Sequence, residues 1–178
     1  MGQPTAPLAE EELRLIPVRP GICYGMLGPV FLLFYRTAPA FEDLRQRLPH
    51  LDELRARSEK GAFLSVIDGS RAKAFPDHPT RQETKRQAQE FGEAVAVGAV
   101  VLEGDGVRES LIRSFVRGLL MLKRSPMPYR FFATVEDGVD HCLDGLGQAN
   151  DAARAKLLAA VEVLRERAAE GAPDDDGD

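Results

Sequence analysis

Between Val95 and Leu102 the chain reads V-A-V-G-A-V-V-L. This apolar run is rich in valine and is closed by Glu103-Gly104-Asp105-Gly106. A continuous apolar run ended by turn residues marks a strand covered on both faces. It is therefore read as a central strand of an α/β sheet, with helical patterns on either side. Upstream, Ile22 to Leu27 and Val30 to Arg36 read as strands, and Gly28-Pro29 between them makes the pair a hairpin. Ala62 to Asp68 (A-F-L-S-V-I-D) and Tyr129 to Val135 (Y-R-F-F-A-T-V) are two more.

Between the strands the period changes. Phe41, Leu44, Leu48, Leu51 and Leu54 recur at spacings of three and four, so Pro39 to Lys60 is expected to be helical. Pro49 either bends that helix or opens a second one. Gly61 is a helix stop, and Pro76 and Pro79 keep the stretch from Gly69 to Pro79 as loop. Thr80-Arg81-Gln82-Glu83 matches a capping box, which starts a polar helix at Thr80 running to about Glu93. Gly106 to Lys123 is the most apolar helical pattern. Val107, Leu111, Ile112, Phe115, Val116, Leu119, Leu120 and Leu122 cover more than one face, so this helix is deeply buried or also meets a partner. Glu136 to Leu146 reads as a short helix stopped by Gly147, and Asn150 caps another over Asp151 to Ala169.

The order is β-β-α-β-α-β-α-β-α-α. Helical links between successive strands imply parallel pairing with right-handed crossovers. The expected fold is α/β, with helices packed on a mixed sheet of about five strands. Residues 1–20 hold four prolines and Glu10-Glu11-Glu12, and read as a mobile arm with one helical turn near Ala9 to Leu15. Residues 21–147 form the α/β domain, 148–170 a C-terminal helix, and 171–178 a disordered acidic tail.

Composition narrows the function classes. A chain of 178 residues with 44% apolar and 29% charged residues is ordinary for one globular domain. Its net charge of -5 argues against a nucleic-acid partner, which needs a basic footprint. Cys23 and Cys142 form neither a C-x-x-C pair nor a disulfide framework, so a reducing cytoplasm is the expected setting. The first residues lack the basic start and apolar core of a signal peptide, and the apolar run Val30 to Tyr35 is too short to span a bilayer. His50, His78 and His141 are not at metal spacing, and no motif calls for a cofactor.

A larger pattern is carried by Val66-Ile67-Asp68, Arg81 and Arg86 on the polar helix, and Gly98-Ala99-Val100-Val101-Leu102. The helix from Val107 to Leu122 and the close from Pro126 through Tyr129 to Asp137 complete it. In this order, over about Ile22 to Leu146, the chain resembles the STAS fold, named for sulfate transporters and anti-sigma-factor antagonists. It is also similar to the related SEC14 lipid-binding domains. The resemblance implies a stand-alone bacterial, non-enzymatic regulatory protein that acts through protein–protein contact in signalling. A carrier of small apolar ligands or lipids is the alternative it implies. The antagonists carry a phosphorylated serine in an Asp-Ser-x-Gly element. Here that stretch is Asp77-His78-Pro79-Thr80, so the familiar phosphorylation switch is not implied.

The candidate regulatory or binding loop comprises Asp68, Ser70 and Thr80. Asp68 ends a central strand, where ligands of open α/β sheets gather, although a carboxylate there also caps loop N–H groups. Thr80 has a sufficient role as N-cap, and a phosphate at a helix N-terminus is also physically favourable. Asp105-Gly106 lacks the residues of a phosphate-binding loop and reads as a turn. Arg113, Arg117, Lys123 and Arg124 read as a solvated basic run. Cys142 beside His141 is expected to pack as a small apolar residue. The candidate interface is Leu111, Phe115, Leu119 and Leu122, with a homodimer as one expected form of contact.

Overall fold

The computed structural model describes residues 7–57, 61–70, 76–104, 114 and 129–170. Its strands are β1 (Leu13–Arg19), β2 (Ile22–Leu27), β3 (Val30–Tyr35), β4 (Gly61–Asp68), β5 (Val95–Glu103) and β6 (Tyr129–Phe132). Its helices are α1 (Phe41–Arg45), α2 (Leu48–Arg57), α3 (His78–Ala94), α4 (Val135–Leu146) and α5 (Asp151–Ala169). The strands lie side by side in chain order in one sheet. β1, β2 and β3 pair antiparallel, and β3 to β6 pair parallel.

Each face of the sheet carries its own core. On one, α4 and α5 cover Cys23, Leu32, Phe34, Leu64, Val66, Ala99 and Val101, using Val139, Leu143, Leu157, Val161 and Leu164. On the other, α2 and α3 cover Tyr24, Phe31, Leu33 and Phe63, using Leu51, Leu54, Phe91 and Ala94. These are the C-helix face and the crossover face. Burial on both sides explains the apolar runs: every residue of β2 and β3 is buried. On α4, glycine permits contact with β5. A Cβ on Gly138 would lie 2.6 Å from Val101 Cγ2, and one on Gly145 would lie 2.7 Å from Val97 Cβ.

The sheet has six strands where about five were expected. The extra strand, β1, comes from the supposed arm. Leu13 and Leu15 pack on the C-helix face, while Ile16 and Val18 pack on the crossover face. Alternate residues thus face opposite sides, the pairing with β2 shifts register between Pro17 and Arg19, and the two-residue link Pro20-Gly21 joins β1 to β2. Pro17 is tolerated because β1 is an edge strand. The expected helical turn shrinks to a 3-10 turn at Leu8–Glu10. Of the two alternatives at Pro49 the second holds: the stretch 39–60 carries two helices, and Pro49 is the second residue of α2.

The C-terminal helix is integral to the sheet. Its Leu157, Val161 and Leu164 share a core with Cys23 and Phe34, and the Gly21 N–H donates to Ala168 O at 2.8 Å. The helix expected over 106–123 lies outside the described residues apart from Ser114, which is helical. Leu111, Phe115, Leu119, Leu122 and the tail at 171–178 lie outside them as well.

Candidate functional site

Parallel strands β3 to β6 end at one rim of the sheet, and Asp68 and Ser70 sit there. Asp68 closes β4 opposite Glu103 of β5. Its Oδ1 accepts the Ser70 N–H at 3.1 Å and the Ser70 hydroxyl at 2.5 Å, which folds the chain back in an Asx-type turn. The Gly69 N–H donates to Glu103 O at 3.0 Å. Ser70 itself is exposed. The Glu103 carboxylate is already taken, because Arg165 of α5 donates to both of its oxygens.

Thr80 is placed differently from its expected role. The N-cap of α3 is Asp77, with Pro79 in the first turn. Asp77 Oδ1 accepts the Thr80 N–H at 2.8 Å. The Thr80 side chain and N–H together hold the Asp77 carboxyl below its ordinary range. The helix therefore begins two residues early, because an Asp followed by Pro in the first turn outcompetes Thr80 as a cap. Thr80 is only 1% exposed. Glu83, expected to close a box on Thr80, turns instead to Arg86 and Gln87. Among the described residues no hydrogen bond joins Thr80 to the Asp68–Ser70 turn.

A larger polar group lies under the crossover helices, and sequence reasoning missed it. Arg47, between α1 and α2, is 6% exposed. Its Nε donates to Gln87 Oε1 at 3.0 Å and its Nη1 to the Tyr35 hydroxyl at 3.1 Å. Its guanidinium also stands 5.6 Å from the centre of the Phe91 ring. Gln87 is fully buried and donates to Leu44 O at 2.9 Å and Glu83 Oε1 at 2.7 Å. Arg86, Gln87 and the charge of Arg47 outweigh burial and bring the Glu83 carboxyl down to about 2, with the Arg86 hydrogen bonds the largest cause.

Tyr24 extends the group to the hairpin. Its hydroxyl donates to Asp43 O at 3.0 Å, and its ring meets that of Tyr35 edge-on at 5.9 Å. Asp43 in turn accepts from the Ala40 N–H at 2.8 Å and from Arg19 Nε at 2.9 Å. The only sequence signal was spacing. Thr80, Glu83, Gln87, Phe91 and Ala94 lie on one helix face, so a core face made mostly of polar residues was readable as a polar helix.

The remaining candidates are separate. The Cys142 thiol faces Phe63 O at 3.7 Å, and burial pushes it up to about 12, as expected of a packed and inert cysteine. His141 Nε2 is buried without a partner, and its ring lies 5.2 Å from that of Phe132. Burial first, then Arg130, holds the His141 pKa below its ordinary value. Among the described residues no group of His, Cys, Asp and Glu could hold a metal ion, and no helix is long and apolar enough to cross a membrane.

No family model matches the chain, and neither a curated protein nor a solved structure matches it.

Proposed function

We propose that this chain is a non-enzymatic regulatory protein of STAS-like fold that works through protein–protein contact. The observation that carries the reading is the exposed Ser70 turn, held by Asp68 at the rim where parallel strands end. Rims of this kind are where open α/β sheets meet their ligands. The turn is fixed by its own hydrogen bonds, so a partner meets a preformed shape and loses less ordering entropy on binding. The apolar segment with Leu111, Phe115, Leu119 and Leu122 is the second contact element, and a homodimer is its simplest product.

Native mass spectrometry of the purified chain tests the reading. A dimer that becomes monomeric on Leu119→Glu supports contact through that segment. A monomer in both forms, with Ser70→Glu unable to alter any protein complex, overturns the reading. A co-purifying lipid mass in place of a protein complex would favour a small apolar-ligand carrier instead.

A further inference from the structure

Among the described residues one buried side-chain atom has no hydrogen-bond partner, and it is Nε2 of His141. His141 lies on α4, and its ring stands 5.2 Å from that of Phe132 on β6, tilted by 43°. Phe132 packs against the core of the C-helix face, so His141 sits where the helix meets the last described strand of the sheet. The ring is partly exposed, but Nε2 is not.

A neutral imidazole tolerates this position. With its proton on Nδ1 it leaves only a lone pair at Nε2. Protonation puts an N–H there, and a buried, charged donor without an acceptor is costly. The charged neighbours do not supply that acceptor. By strand alternation Arg130 shares the Phe132 side of β6, and it repels an imidazolium. Asp144, one turn along α4, attracts it but does not bond to Nε2. Asp137, one turn back, accepts from the Thr134 hydroxyl, Asp140 is paired with Arg154 of α5, and Glu136 belongs to the first turn of the helix. β5 meets α4 with Val97, Ala99 and Val101, which carry no charge. A protonated ring gains a cation–π contact with Phe132. That gain is outweighed, since burial first and Arg130 second hold the imidazole below its ordinary pKa against the pull of Asp144.

We propose that His141 is an acid-sensitive latch between α4 and β6. While neutral, its ring holds Phe132 and with it the strand. Once protonated, it turns to solvent and β6 separates from β5. β6 is the element that moves, because it is four residues long and, among the described strands, pairs only with β5. α4 is seated closely on β5 through Gly138 and Gly145 and stays. Short elements of this kind open locally at a fraction of the cost of global unfolding. The latch belongs to the fold and is independent of any partner contact.

Hydrogen exchange on the full chain between pH 7.5 and 5.5, corrected for the intrinsic pH dependence of exchange, tests it. The open form takes up its proton at the ordinary 6.5 and the closed form only below that value. Opening therefore grows as the pH falls through 6.5 and levels off once the closed form is itself protonated. The amides of Tyr129 to Phe132 should open about threefold more at the acid end, while those of β2 and β3 stay unchanged. His141→Phe, which keeps an aromatic ring without a titrating nitrogen, should abolish the rise. A ring-proton NMR titration of the parent should place His141 below 6.5. The proposal is overturned if exchange at β6 is flat with pH, if His141→Phe shows the same rise, if β2 and β3 open in step with β6, or if His141 titrates at or above its ordinary value. Exchange and titration of the parent decide the matter even if His141→Phe does not fold.

Discussion

Glu103 and Arg165, 62 residues apart, meet through two hydrogen bonds of 2.8 and 2.9 Å that pin the end of β5 to α5. The pair is about a third exposed on the arginine side and a quarter on the glutamate side. Arg165 also stands 5.0 Å from the centre of the Phe34 ring. Arg165→Met is expected to cost about 1–2 kcal/mol, and Glu103→Gln about 1 kcal/mol or less, after allowance for solvent screening. Urea unfolding of the two single variants and the double variant measures this. A coupling energy near zero would show that the bidentate geometry contributes nothing to stability.

The glycines of α4 give a second expectation. Alanine is worth about 1 kcal/mol over glycine inside a helix. That gain is outweighed here, because overpacking costs about 1–3 kcal/mol. Gly145→Ala meets Val97 at Cβ itself, close to the backbone, whereas Gly138→Ala meets the ends of the Val101 and Leu64 side chains. Gly145→Ala should therefore be the more damaging, and Val101→Ala should partly rescue Gly138→Ala. Thermal melts of the four variants report the order.

Glu83 makes stability depend on acid. Its carboxyl falls from 4.5 to about 2 on folding, so between those pH values the unfolded chain holds the proton more often than the folded one. Stability from this group is complete above pH 4.5 and is lost as the pH drops toward 2. Its size is on the order of 2 kcal/mol, reduced from the full linkage value because Arg86 is half exposed. Glu83→Gln should flatten the stability profile across that window, as followed by urea midpoints. An unchanged slope would remove Glu83 as its source.

Gln87 is the hinge of the buried polar group. Gln87→Leu keeps the volume but strips partners from Arg47 Nε, Glu83 Oε1 and Leu44 O at once. A loss of about 2–4 kcal/mol is expected, since a buried charge left with fewer partners costs more than a surface one. Gln87→Glu keeps an acceptor for Arg47 but sets an oxygen against Glu83 Oε1 and Leu44 O in place of the amide donor, so at neutral pH it should cost at least as much. Equilibrium unfolding of both variants checks this.

How much of this was legible in the sequence depended on how local the chemistry was. Asn150 caps α5 and Gly147, at φ +66°, ends α4, because each signal acts within a few residues. β2 and β3 were readable because burial on both faces leaves an unbroken apolar run. β1 was not. Its apolar residues Leu13, Leu15, Ile16 and Val18 are divided between the two faces, with Arg14 and Pro17 among them, so neither an unbroken apolar run nor an apolar–polar alternation marks it. At the start of α3, Thr80 and Asp77 both carried cap chemistry, and the proline in the first turn decided for Asp77. The Arg47 group escaped notice because a buried polar helix face has the composition of a solvated one, and only the packing of α3 on α1 and α2 tells them apart.

The irregularity of β1 also bears on how copies of this chain avoid one another. An edge strand is a template onto which a foreign strand can add. β1 carries an exposed proline at 17, a break in register beside it and an exposed, charged Arg14 that pairs with Glu53 of α2. Each spoils the flat ladder that sheet extension needs. The opposite rim, β6, is four residues long. Strand-by-strand growth into fibrils is thus discouraged at both ends of the sheet, by sequence irregularity at one and by brevity at the other.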